Sequence, residues 1–278
     1  MLLVQSNAHE FYWIAPYILV GIGVLVVYVG FRMYENWYAN TKDKLLYRQL
    51  WIFKRLSKAQ KDYLNENFKF YTKLTPKEKR RFEHRVAHFV HLKEFIGRED
   101  LVVTGEKKLL IAAVGCMLSF GRKHYDYRLI DYILLYPKAF YSSVNGGYHK
   151  GEFNPMQRTL VLSWEDFEHG YRISDDNLNL GIHEFMHALQ LDAKQSNDID
   201  ALRFERTYQR ILQQLTNATE KEKLNTVKYF RAYAFTNEYE FMAVLAEYFI
   251  ESPKDFKKQF SDLYGHVRTM FNFDFAGY

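Results

Sequence analysis

The chain has 278 residues, 48% of them hydrophobic and 18% aromatic, enough for one sizeable buried core and too apolar for a disordered or low-complexity protein. Its formal net charge of +5 fits attraction to an anionic lipid surface, but no glycine-rich phosphate loop or nucleic-acid-binding signature accompanies it, so no nucleic-acid partner is expected. The single cysteine, Cys116, excludes a disulfide framework within the chain and a cysteine-based metal site, and fits a reducing compartment.

After a short tail over residues 1–10, residues 11–31 read FYWIAPYILVGIGVLVVYVGF, without a charge. A helix of that length spans roughly 30 Å, the hydrocarbon thickness of a bilayer, so the segment is read as a transmembrane anchor in the lipid bilayer. Tyr12 and Trp13 stand at one end and Tyr28, Tyr34 and Trp37 near the other, as interfacial aromatics do. Pro16 falls in the first turns, where a missing amide is tolerated. A cleaved signal peptide needs a basic leader, which MLLVQSNAHE lacks. Arg32, Lys42, Lys44, Arg48, Lys54 and Arg55 all follow the span, so the large C-terminal part is expected in the cytoplasm, at a bacterial inner (plasma) membrane.

Residues 32–56 read as a juxtamembrane connector with interleaved basic and aromatic side chains, and residues 57–278 as one α+β domain. Ser57 is a cap for a helix expected to reach Leu74. Thr75, Pro76 and Glu78 supply an N-cap, a proline at the first helical position and the acid of a capping box, opening a helix expected to run to Phe95 and stop at Gly97. His84, His88 and His91 share a stretch of that helix; a second metal site there is conceivable, but a partly buried helix face is the reading adopted. The apolar run Leu109–Leu118 is too short to span a bilayer and is assigned to the core, with Cys116 as an inert thiol. Alternation at Tyr132–Tyr136 and Thr159–Ser163 predicts two strands of a small sheet. Beyond Asp192 the pattern is mostly helical, up to a boundary at Pro253.

The chemistry concentrates in Asn177-Leu-Asn-Leu-Gly-Ile-His183-Glu184-Phe185-Met186-His187. Two histidines four apart lie one turn apart on one helix face and can reach the same Zn²⁺, with Glu184 beside them to contact an attacking water. Leu180, Ile182, Phe185, Met186 and Leu189 give this helix an apolar coat, and Asp175, Asp176 or Asn177 could cap it. HExxH alone can arise by chance, leaving two surface histidines around a glutamate. A catalytic zinc site also needs a third protein ligand and an open position. No histidine follows closely, so a glutamate from the amphipathic stretch after Tyr233 is the better candidate; Glu240 and Glu247 share a face and Glu238 lies elsewhere, but spacing does not choose among them.

Four patches, LLYPKAF at Leu134–Phe140, VLSWEDF at Val161–Phe167, NLNLGIHEFMHALQLD at Asn177–Asp192 and AYAFTNEYEFMAVLAEYF at Ala232–Phe249, together resemble the zinc peptidases of the Mlc titration factor A family, over roughly residues 57–275. The resemblance implies a zincin-like α+β metallopeptidase domain, similar to lethal-factor-type enzymes. It implies His183, His187 and Glu240 as zinc ligands, Glu184 as general base, Tyr233 as the phenol facing the oxyanion and Glu247 as a supporting residue for a ligand histidine. It further implies aminopeptidase-like cleavage of a peptide or protein substrate. Because the family's founder binds a transcriptional repressor, a membrane-tethered regulator that keeps a metal site is the rival reading. The anchor departs from the family's best-known member, which is soluble and cytoplasmic.

Overall fold

The computed structural model describes residues 13–42, 45–46, 54–142, 146–173, 175–217, 222, 224 and 227–277. It divides into two compact units between residues 46 and 47. The first contains one helix, α1 (Ala15–Lys42), of 28 residues. That is roughly 42 Å of helix, long enough to cross a bilayer. Its most apolar window has mean hydropathy 1.8 and no buried residue, unlike the core helix of a soluble protein. The helix continues past Phe31 into the stretch read as connector. Trp13, Tyr28, Tyr34 and Trp37 are exposed on it or beside it. Of the sequence features assigned to this region, the tail over 1–10 and Phe11, Tyr12, Lys44 and Arg48 lie outside the described residues.

The second unit opens with α2 (Lys58–Asn67), capped by Ser57 in a box with Gln60. The single helix expected from Ser57 to Leu74 is broken. Phe68 adopts extended backbone (φ −131°, ψ 93°), and a short α3 (Lys69–Lys73) follows. The break puts Phe68 and Phe70 on the core, their ring centroids 6.1 and 5.6 Å from that of Phe82. Burial of two aromatics outweighs the helical bonds lost at one residue. In α4 (Pro76–Leu92), Thr75 and Glu78 form the expected box. Its end comes earlier than expected, at Leu92, and the segment read as its last turn is a strand, β1 (Glu94–Gly97). Buried Lys93 holds this junction, its Nζ donating to the carbonyls of Tyr127 and Ile130 at 2.9 and 2.6 Å. Burial lowers the pKa of that ammonium to about 8.

The short apolar run lies in α5 (Gly105–Leu118), every residue from Leu109 to Leu118 being buried, as expected for a core helix. Burial pushes the Cys116 thiol up to about 12, which fits an inert core residue. His84 and His88 stack at 5.8 Å, and both lie within hydrogen-bond distance of the Tyr125 hydroxyl. Among the described residues they join no cluster suited to a metal.

Strands β2 (Tyr132–Tyr136), β3 (Phe140–Ser142), β4 (Gly147–His149), β5 (Gly151–Asn154) and β6 (Thr159–Ser163) follow. The sheet order is β1-β2-β6-β5, with β1, β2 and β6 parallel and β5 antiparallel at the edge; β3 and β4 form a separate hairpin. All five residues of β6 are buried, as expected of a central strand. Helices α6 (Trp164–Arg172), α7 (Leu180–Lys194), α8 (Ile199–Thr216), α9 (Glu238–Glu251), α10 (Pro253–Gln259) and α11 (Ser261–Phe271) follow among the described residues, with a 3₁₀ turn at Ala232–Phe235 before α9. The domain is α+β and dominated by helices. Helix α7 packs between α5 and α9 and lies against β5, which assembles the site.

Candidate metal centre

Helix α7 carries the HExxH residues, and its apolar coat explains its position: Ile182, Phe185, Met186, Ala188 and Leu189 are all buried. Its cap is Asn179, not the earlier Asp175, Asp176 or Asn177. The Asn179 side chain accepts from the Ile182 amide at 3.0 Å. The cap lies later because Asn179 is the residue next to the first helical position, and its amide group also donates to the Gly170 carbonyl at 2.8 Å.

His183 and His187 face the first turn of α9, which Asn237 caps by accepting from the Tyr239 and Glu240 amides. Glu240 Oε2 lies 3.0 Å from His183 Nε2, and its Oε1 lies 3.6 Å from His187 Nε2. All three donor atoms fall within 4.8 Å of one another. Two ligands at zinc's usual bond lengths of about 2.0–2.1 Å, in tetrahedral geometry, stand roughly 3.4 Å apart, so the observed separations suit one small cation. Two imidazole nitrogens and one carboxylate oxygen are also the donor types of a catalytic zinc site with its fourth position open. The residues present therefore fit the group.

Glu247, seven residues after Glu240 on α9, is wholly buried. Its Oε1 is 2.7 Å from His183 Nδ1. With Nδ1 donating this bond, the proton that a metal would displace is the one on Nε2, the nitrogen facing Glu240. Arg231 donates to both Glu247 oxygens at 2.8 Å, and the Asn179 amide donates to Oε2 at 3.1 Å. Glu238 lies off this face and is exposed.

The electrostatics divide the two histidines. Burial opposes charge on His183, but its bonds to Glu240 and Glu247 outweigh burial and raise its pKa to about 9. Burial and the neighbouring His183 charge lower His187 to about 4. Glu184 is buried beside them, and burial, reinforced by Glu240, Glu152 and Glu247 against the opposing pull of His183, pushes its carboxyl up to about 7. The backbone of edge strand β5 comes so close to Glu184 that a Cβ at Gly151 would stand 2.5 Å from Oε1. Only glycine admits that approach. Tyr233 sits in the 3₁₀ turn, about half exposed, its ring centroid 5.9 Å from that of His183. Burial and the neighbouring Glu240 carboxylate raise its hydroxyl to about 12.

A model of the glucose-regulated metallo-peptidase M90 family matches residues 44–272. The chain belongs to this family. Among curated proteins it is 29% identical to an uncharacterized protein of Synechocystis sp., covering 89% of this chain and 95% of that one. It is 25% identical to Mlc titration factor A of Yersinia pestis, over 81% of this chain and 90% of the relative. For the Yersinia enterocolitica protein of the same name the identity is 23%, over 72% and 80%.

The structure thus places His183, His187, Glu240, Glu184, Glu247 and Tyr233 in one site. Three neighbours escape a reading of the sequence. Arg231 has no local signal, since its carboxylate partner is sixteen residues away on another element. Gly151 sits in a four-residue strand with no motif. Asn179 is the last polar residue before Leu180, a cap signal that the nearby Asp175, Asp176 and Asn177 obscure.

Proposed function

We propose that this M90 protein is a membrane-tethered zinc peptidase that hydrolyses peptide bonds, with a peptide of aminopeptidase type as the preferred substrate. The observation that carries the proposal is a buried Glu184 beside, and outside, the His183, His187 and Glu240 cluster. Pure metal storage has no use for such a base.

His183, His187 and Glu240 would hold the zinc. Bound there, zinc supplies Lewis acidity, which polarises a carbonyl and makes water a stronger acid. Glu184, buried beside the three ligands and not one of them, would take the proton of the attacking water and deliver it to the leaving amine. The Tyr233 hydroxyl remains protonated at neutral pH and donates toward the oxyanion. Glu247, held by Arg231 and Asn179, fixes the tautomer and orientation of His183. The outer edge of β5 lies beside Glu184 and can pair with an extended substrate backbone.

The positive flank of α1, including Arg32, Lys42, Lys54 and Arg55, supports a cytoplasmic domain tethered to a bacterial plasma membrane. Residues 1–10 as a tail, an anchor from 11–31, a connector to 56 and the peptidase from 57 remain the proposed division.

A second reading has its own observation. Relatives covering most of this chain are named for titrating Mlc. On that reading the chain is a membrane-tethered regulator that binds a transcriptional repressor or similar partner and keeps its metal site without turnover. Glu184→Gln separates the two, because it preserves volume and removes the base but none of the ligands. The peptidase reading expects zinc content to hold and zinc-dependent cleavage of a mixed peptide library to drop by about 10²–10⁴-fold. Wild type that cleaves nothing in that library, with a Gln variant retaining full cellular function, would establish the regulator instead.

A further inference from the structure

Helix α7 buries one more polar side chain beyond the HExxH residues. Gln190 is 5% exposed, and among the described residues neither end of its amide makes a well-formed hydrogen bond. Apolar side chains coat the stretch before it, where Phe185, Met186, Ala188 and Leu189 are all buried. A carboxamide buried with both ends short of a firm partner is costly, and packing alone does not call for one there.

Its place on the helix names the group it serves. His187 lies three residues earlier on the same face, and helical side chains lean toward the N-terminus, so the amide of Gln190 leans back on the His187 ring. The two groups act on one another. Burial and the His183 charge lower the His187 pKa to about 4, and Glu240 and the Gln190 amide oppose them. An amide that favours a protonated ring presents its oxygen to a ring N–H. Nε2 is the His187 nitrogen turned to Glu240, 3.6 Å from Oε1, which leaves Nδ1 for Gln190.

We infer that Gln190 is the positioning residue of His187: its Oε1 accepts the Nδ1 proton and holds the neutral ring in the tautomer whose Nε2 lone pair faces the metal site. Gln190 then does for His187 what Glu247 does for His183, and the two histidines are oriented from different elements, α7 itself and α9. The two supports differ in charge. Glu247 is braced by Arg231, whereas Gln190 is neutral and orients its ring without adding a fourth carboxylate to Glu184, Glu240 and Glu247. Such a role presupposes the zinc site of the proposed function but no turnover.

Imidazole nitrogen NMR of the metal-free full chain in detergent, at neutral pH and with His187 assigned by substitution, reads the tautomer directly. Wild type should carry the His187 proton on Nδ1, and Gln190→Leu should shift it toward Nε2. Chelator competition should show zinc held about 10–100-fold more weakly by Gln190→Leu. Gln190→Glu, an acceptor of nearly the same size, should restore most of that affinity. Leucine fills the buried volume with no polar atom to satisfy, so the metal-free Tm of Gln190→Leu should be no lower than that of wild type. An amide that only fills space would leave both tautomer and zinc affinity unmoved. A wild-type His187 proton on Nε2, or zinc affinity in Gln190→Leu within about twofold of wild type, would overturn the assignment. The wild-type spectrum decides even where the leucine variant fails to fold. Wild type that binds no zinc would overturn the metal site itself, and the tautomer would still decide whether Gln190 holds His187.

Discussion

Arg231→Met is the sharpest probe of how the site is held. Arg231 donates twice, at 2.8 Å, to a Glu247 carboxylate whose side chain is 1% exposed, and once more to the Asn177 carbonyl at 2.6 Å. Removing one partner of a buried pair costs about 3–5 kcal/mol, because the other charge stays buried. The Arg231 side chain is itself 25% exposed, so water partly screens the pair and the lower end applies, ~3 kcal/mol. For a domain of this size that is a fall in Tm of roughly 6–12 °C. Arg231→Lys, with a point charge in place of the fork, should lose less. Adding Glu247→Gln to Arg231→Met removes the stranded charge and leaves an acceptor for His183, so about 1–2 kcal/mol should return. The assay is thermal and urea unfolding of the full chain in detergent. A loss below about 1 kcal/mol in Arg231→Met, or strict additivity in the double variant, would refute the reasoning.

Other consequences follow from the same geometry. Without metal His183 holds its proton to about pH 9, so zinc must displace it, and apparent zinc affinity should fall as pH drops from 9, by up to tenfold per unit; a flat profile in chelator competition between pH 7 and 9 would contradict this. Gly151→Ala should force Glu184 or β5 to move, lowering turnover on the order of 10²-fold while zinc content holds. Tyr233→Phe should likewise keep zinc and lose roughly 3–4 kcal/mol of transition-state stabilisation, read from kcat. His124 and Asp198 pair at 2.9 Å; the bond to Asp198 raises the histidine despite burial, and burial of Asp198 is outweighed by its bonds to His124 and the α8 amides, which lower it. The histidine's contribution is complete below its unfolded pKa of ~6.5 and is lost as pH rises through the higher folded value, while the aspartate's is lost as pH falls below ~4. Asp198→Asn, still a good cap, should therefore destabilise most between about pH 4 and 6.5, as unfolding midpoints across pH would show.

Features set by local chemistry were legible in the sequence. The Thr75–Glu78 box, the two strands at 132–136 and 159–163, the buried run in α5 and the HExxH helix each depend on residues within one or two turns. What was missed depends on distant partners. The break at Phe68 serves packing against Phe82, and β1 forms because β2, more than thirty residues on, offers it a parallel edge. Strands β3, β4 and β5 are three or four residues long, too short for a period to register. Within the site, spacing left three glutamates open. Only the packing of α9 on α7 puts Glu240 beside the histidine nitrogens and Glu247 behind the ring.

The most direct test of the account is the zinc stoichiometry and coordination of the purified full chain, beside His187→Ala. The account predicts one zinc per wild-type chain, with X-ray absorption giving nitrogen and oxygen ligands at about 2.0–2.2 Å, no sulfur, and most of the metal lost in His187→Ala. Equal zinc in both proteins, or a sulfur ligand, would contradict it.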